Sequence, residues 1–182
     1  MRGLMSIYTP KYQPNGNEVA VIATTKGSIR VKLAGKDAPI HVGNFVELAK
    51  SGFYNGLKFH RYEPRFVIQG GCPNTRNLTP EQVIVGGSYP PPGTGDPGYS
   101  IKGEWMVNPN NKHLDGTLAM ARAQQPDSAG SQFYFCLGPQ SFLDANYTVF
   151  GDAEDAASIT VIHSLRKGDE ILSVEIENTD QG

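Results

Sequence analysis

A chain of 182 residues, 38% of them hydrophobic, has the length and apolar content of one domain with a full core. Its formal charge of −2 offers no basic excess to neutralise phosphates, which argues against a nucleic-acid partner and makes a polypeptide the expected one. The two cysteines, Cys72 and Cys136, build no disulfide framework, and no second histidine or cysteine sits at metal-ligand spacing, so neither a metal nor a cofactor is expected.

Residues 1–17 read as an N-terminal tail, with Pro10, Pro14 and no periodicity, and residues 18–182 as a single domain. The first eight residues lack the long apolar run of a signal peptide, and no apolar segment is long enough to span a bilayer. A cytoplasmic monomer without a membrane partner is expected.

From Glu18 the apolar residues alternate. Val19, Val21 and Ala23 face one way and Ala20, Ile22 and Thr24 the other; Lys26-Gly27 then turns the chain into Ile29, Val31 and Leu33, a hairpin with one buried face. Pro39 in a first helical turn precedes Val42, Phe45, Val46 and Ala49 at helical spacing, and the helix should stop near Ser51-Gly52. Asn44 on that helix reads as an amide buried against a neighbouring loop. Residues 74–97 are rich in Gly, Pro, Ser and Thr and read as a long loop with a short strand at Val83-Ile84-Val85. Ser158, Val161, Ile162 and Leu165 mark a second helix, and Leu172, Val174 and Ile176 alternate as a last strand. Many short strands with two separated helices imply a mainly β antiparallel barrel or sandwich with helices at its ends.

Two stretches carry polar chemistry inside apolar strands. Phe59-His60-Arg61-Tyr62 turns at Glu63-Pro64-Arg65 and returns as Phe66-Val67-Ile68-Gln69-Gly70-Gly71. Ala119-Met120-Ala121-Arg122-Ala123 breaks into a turn-rich loop and resumes as Ser131-Gln132-Phe133-Tyr134-Phe135. By the strand period of two, Leu57, Phe59 and Arg61 share a face, and Gln69 and Gln132 are the amides expected to hold the guanidinium flat. Gln132 and Tyr134 face away from Phe133 and Phe135 by the same rule. Ser131 has no evident base and no Gly-x-Ser-x-Gly occurs, so serine chemistry is not expected.

These stretches, together with Gly93-Thr94-Gly95, Pro97-Gly98-Tyr99-Ser100-Ile101 and the run from Phe142-Leu143-Asp144 to Val149-Phe150-Gly151, resemble the cyclophilin family of peptidyl-prolyl isomerases. The resemblance runs in order from Val19 to Ile176. It implies a closed eight-stranded antiparallel barrel capped by two helices, with a groove on one outer face that binds and twists X-Pro bonds of polypeptides. It implies Arg61 as the principal catalytic residue, with Phe66, Val67, Tyr134 and Leu143 lining a proline slot. Ala121, Arg122 and Ala123 match a strand edge for the substrate backbone, Gln69 and Gln132 match groups that orient arginine and substrate, and His60, Phe142 and Tyr147 complete the groove wall. Valine at 67, tyrosine at 134 and phenylalanine at 142 depart from the commonest pattern of methionine, phenylalanine and tryptophan. The first two narrow the slot and add an unpaired hydroxyl; the third implies weak cyclosporin binding. A proline-binding module with weak or lost catalysis is the alternative, and Arg61, Gln69 and Gln132 favour the enzyme.

Overall fold

The computed structural model describes residues 6–178; the first five residues of the expected tail and the last four of the expected domain lie outside it. Strands β1 (Glu18–Thr24) and β2 (Gly27–Leu33) form the expected hairpin, with Ala20, Ile22, Ile29, Val31 and Leu33 buried. Helix α1 (Pro39–Lys50) follows, and Gly52 ends its last turn at φ +77°, a conformation that costs glycine nothing. Its first N–H groups are satisfied from outside: Ile40 and His41 donate to the buried Glu104 carboxylate at 3.0 and 2.7 Å.

The remaining strands are β3 (Arg61–Glu63), β4 (Val67–Gly70), β5 (Thr117–Met120), β6 (Phe133–Cys136), β7 (Val149–Ala153) and β8 (Ile171–Asn178). All eight lie in one antiparallel sheet, in the order β3-β4-β6-β5-β7-β2-β1-β8. The sheet is an open half-barrel, which corrects the expected closed barrel. Its two end strands, β3 and β8, do not pair as a ladder. Residues 56–59 instead run in irregular backbone beside residues 168–170 and the first residue of β8, with Phe59 donating to Asp169 and Ile171 to Leu57 at 2.8 Å each. Only Lys58 and Glu170 there form a bridge. Gly56 and Gly168 take φ of +84° and +96°, which no strand continues, so the ends meet without closing.

Three α-helices are present among the described residues, where two were expected. The extra one, α2 (Pro80–Val85), replaces the expected strand at residues 83–85. Thr79 Oγ1 accepts from Gln82 N at 3.1 Å and Gln82 Oε1 accepts from Thr79 N at 2.8 Å, a reciprocal cap that outweighs three apolar residues in a row. Helix α3 (Ala156–Ser164) is capped by Asp155 and buries Ser158 and Ile162. Among the described residues no helix is long and apolar enough to cross a membrane.

Strand β8 corrects a further expectation. Val174 is buried, yet Leu172 is 50% exposed and Ile171 takes the inner position. The pairing with β1 shifts register between Ala23 and Thr24, and that bulge reverses the parity of the strand's start.

Residues 8–12 lie along α1. Tyr8 Oη and the backbone N–H groups of Lys11 and Tyr12 all donate to the Glu47 carboxylate, and Gly43 leaves the room: a β-carbon there would come within 2.7 Å of the Tyr12 carbonyl. Asn44 is fully buried, as expected, and its Nδ2 donates to the Gly130 carbonyl at 2.8 Å.

The central sheet is apolar on both faces, and this positions the site. Ile68, Leu118, Met120, Phe133 and Phe135 point inward to the main core with Phe45, Tyr54 and Phe150. Their neighbours Val67, Ala119, Tyr134 and Cys136 point outward and are covered by Leu143 and Val149 in a second, smaller cluster.

Candidate active site

The second cluster ends at the surface in a cavity of about 170 Å³. Val67, Tyr134 and Leu143 make its floor and are nearly fully buried. Its sides are Phe66, Ala121 and Tyr147, the last meeting the Tyr134 ring edge-on at 6.2 Å. Arg61 and Gln69 stand at its edge on the paired strands β3 and β4, where they are direct cross-strand partners. A slot with an apolar floor thus opens beside the Arg61 guanidinium, with Arg122 in its wall.

The face of Arg61 corrects the periodicity argument. Phe59 and Leu57 are wholly inside the main core, whereas the Arg61 side chain is 48% exposed on the outer face. Regular strand geometry begins only at Arg61, and the alternation breaks across His60. The guanidinium lies 5.6 Å from the Phe66 ring and 3.8 Å from the Glu63 carboxylate. The two amides do not hold it flat: among the described residues neither hydrogen-bonds Arg61. Gln69 Nε2 donates instead to Gln132 Oε1 at 3.1 Å.

Gln132 belongs to a second, larger cavity of about 400 Å³ that shares Gln69, Ala121 and Arg122 with the slot. Its Nε2 donates at 2.9 Å to the carbonyls of both Gly93 and Gly95. The N–H groups of the same two glycines point the other way, to Cys72 Sγ at 3.2 and 3.3 Å. Gly93 manages this with φ +98°. The loop is therefore clasped between a thiol behind it and an amide in front.

Ala121 and Arg122 form the shared wall of the two cavities, and Ala123 continues it along the larger one alone. The Ala121 N–H is already used, donating to the Gln132 carbonyl at 2.9 Å. The Arg122 guanidinium is half-buried between Tyr147 and Trp105, 4.8 and 4.9 Å from their rings, and donates to the Asn146 carbonyl at 2.7 and 2.9 Å. It braces the wall.

Two expected residues stand apart from the cavities. Phe142 is 66% exposed and stacks on Phe66 at 5.7 Å, extending the rim. His60 lies under the Gly93 loop, with a buried Nδ1 that has no partner. Burial, helped by the charges of Arg61 and Lys167, pushes its pKa down to about 4, so it is neutral at pH 7.

The Tyr134 hydroxyl is not unpaired, which corrects the expectation. His113 Nε2 lies 2.8 Å from it, and His113 Nδ1 lies 2.8 Å from Asp144 Oδ1. His113 and Trp105 are the site residues that the sequence argument missed. A tyrosine in an apolar strand was the available signal, because a buried hydroxyl demands a partner.

A family model described as cyclophilin type peptidyl-prolyl cis-trans isomerase/CLD matches residues 19–180. The chain is 46% identical over 157 residues to a peptidyl-prolyl cis-trans isomerase of Synechococcus elongatus, covering 86% of this chain and 94% of that one. It is 45% identical to one from Helicobacter pylori, covering 85% and 84%. Among solved structures, a Cryptosporidium parvum cyclophilin crystallised in the presence of the dipeptide Ala-Pro shares the fold, with a TM-score of 0.71, 24% identity, and coverage of 88% of this chain and 99% of that one. The chain therefore belongs to the cyclophilin-type peptidyl-prolyl cis-trans isomerases, and it interconverts the cis and trans forms of X-Pro bonds.

Proposed function

We propose that the slot over Val67, Tyr134 and Leu143 receives the proline ring and that Arg61 is the catalytic residue. The observation that carries this is the Arg61 guanidinium at the edge of a cavity floored by Val67, Tyr134 and Leu143, while the other arginine of the lining, Arg122, is already bonded to the Asn146 carbonyl. An X-Pro bond favours trans by only about 0.5–1 kcal/mol, but amide resonance holds the rotation barrier at roughly 18–20 kcal/mol. Rotation makes the prolyl nitrogen pyramidal and gives it a lone pair. A donor reaching that nitrogen is bonded in the twisted state and not in either planar one, so it lowers the barrier rather than merely tightening binding. Arg61 is mobile enough to do so: its contacts in the free protein are a ring face and a carboxylate at 3.8 Å, both weak in water.

The remaining assignments follow from position. Backbone groups of residues 121–123 take the substrate chain alongside the slot, and the larger cavity under Gln132 and the Gly93 loop takes residues preceding the proline. His60 supports that loop from below, and Phe142 lengthens the rim. The substrate is a flexible, proline-containing polypeptide. Titrating an Ala-Pro dipeptide into isotope-labelled protein tests the slot: amide shifts should concentrate at Val67, Tyr134 and Leu143. Shifts centred on another cavity, such as the one beside Lys32 and Lys36, would overturn the assignment.

A further inference from the structure

Of the three side chains that floor the slot, Tyr134 alone is polar, and its hydroxyl is tied into a chain of three residues. Asp144 Oδ1 accepts from the His113 backbone N–H at 2.7 Å and lies 2.8 Å from His113 Nδ1. His113 Nε2 lies 2.8 Å from the Tyr134 hydroxyl, with the two rings 13° from parallel. The His113 side chain is wholly buried, and burial lowers its pKa against the opposing pull of Asp144, so the ring is neutral at pH 7 and carries one N–H.

Where that proton sits follows from its neighbours. A carboxylate can only accept, so the N–H is on Nδ1. Nε2 is then an acceptor, and Tyr134 must be the donor. The hydroxyl proton is turned toward His113, and the slot is offered the apolar ring. The same stretch also holds the wall. Asp144 directly follows Leu143, and Asn111 Nδ2 donates to the carbonyls of Asp144 and Tyr147 at 2.6 and 2.9 Å.

We propose that His113 is a positioning residue for the isomerisation: locked in the Nδ1–H tautomer by Asp144, it turns the Tyr134 hydroxyl away from the slot and ties the slot's floor to its wall at residues 143–147. This rests on the slot being the proline site. Because the chain of bonds shapes the receptacle for the ring and does not touch the rotating bond, its loss weakens binding of ground and transition states alike. KM then rises while kcat changes little.

The test combines histidine ring 15N spectra with steady-state kinetics on an X-Pro peptide, using full-length protein and rates normalised to folded fraction. Wild type should show a protonated Nδ1 and a bare Nε2 at His113. Asp144→Ala should mix the tautomers and raise KM about fivefold, the size of one net hydrogen bond, with kcat within about twofold. Asp144→Asn keeps an oxygen able to accept both N–H groups, and should restore the tautomer and most of the lost KM. A wild-type ring protonated at Nε2 would overturn the proposal, as would an Asp144→Ala variant whose tautomers mix with no rise in KM, or one whose loss only tracks unfolding. The two readings fail separately. Dipeptide contacts far from Tyr134 sink the slot and the role together, whereas contacts at Tyr134 with an unmoved KM sink the role alone.

Discussion

Gln69 and Gln132 bond each other, Nε2 to Oε1 at 3.1 Å, and this pair joins the slot to the neighbouring cavity. Gln132 uses its own amide hydrogens on Gly93 and Gly95, so its carbonyl oxygen is left to hold Gln69. Gln132→Ala removes three hydrogen bonds in one change. Each nets about 0.5–1.5 kcal/mol, part of which water recovers at this half-exposed position. We expect kcat/KM on an X-Pro tetrapeptide to fall about tenfold and the loop at residues 93–95 to exchange its amide hydrogens faster. An unchanged exchange rate would show that the contacts to Cys72 and Asn74 secure the loop without Gln132.

Acid should weaken the protein through His60. Its pKa is about 4 in the fold against about 6.5 when unfolded, so the unfolded chain takes up the proton first as pH falls. The stability tied to neutral His60 is complete above about pH 6.5 and is lost progressively down to about pH 4. His113 shifts the same way, so the comparison must isolate one residue. His60→Gln should show a shallower fall in Tm between pH 6.5 and pH 4 than wild type. Parallel curves would mean that His60 is protonated in the folded protein.

Helix α2 offers a stability test away from the site. Thr79→Ala removes the reciprocal cap with Gln82, and should cost about 1 kcal/mol and lower Tm by a few degrees. With the slot untouched, kcat/KM should stay within about twofold. A larger loss of activity would tie α2 to the groove.

The pattern of residues made much of this legible, with instructive failures. The β1–β2 hairpin, α1 and the buried Asn44 follow from alternation, helical spacing and a polar residue on an apolar face. Helix α2 was legible as well, since threonine followed three residues later by glutamine is a start signal that a run of three apolar residues should not have outweighed. Leu172 and Arg61 were placed on the wrong faces for one reason: a strict period of two survives neither the β1–β8 bulge nor the break at His60. Closure of the sheet is decided by irregular backbone at residues 56–59 and 168–170, which has no side-chain period to read. His113 lies 21 positions from Tyr134, and only folding brings the pair together.

Cyclosporin binding should be weak, because Phe142 supplies a ring at the rim but no N–H. Phe142 is 66% exposed and stacks flat on Phe66, so an indole would fit there without disturbing the core. Phe142→Trp should gain about tenfold in affinity by calorimetry, the value of one net hydrogen bond. Tight binding by the wild type would show that the indole donor is dispensable.

The central claim is that Arg61 lowers the barrier and does not merely hold the fold. Its side chain is 48% exposed and fills no core volume, so Arg61→Ala should melt within a few degrees of wild type. The decisive measurement is kcat/KM for cis-to-trans isomerisation of a short X-Pro peptide, taken alongside Tm on the same preparation. The account predicts a fall of at least about 100-fold with the fold intact, as expected when a donor aimed at the transition state is lost. Near-full specific activity, or a loss that simply follows a lowered Tm, would contradict it.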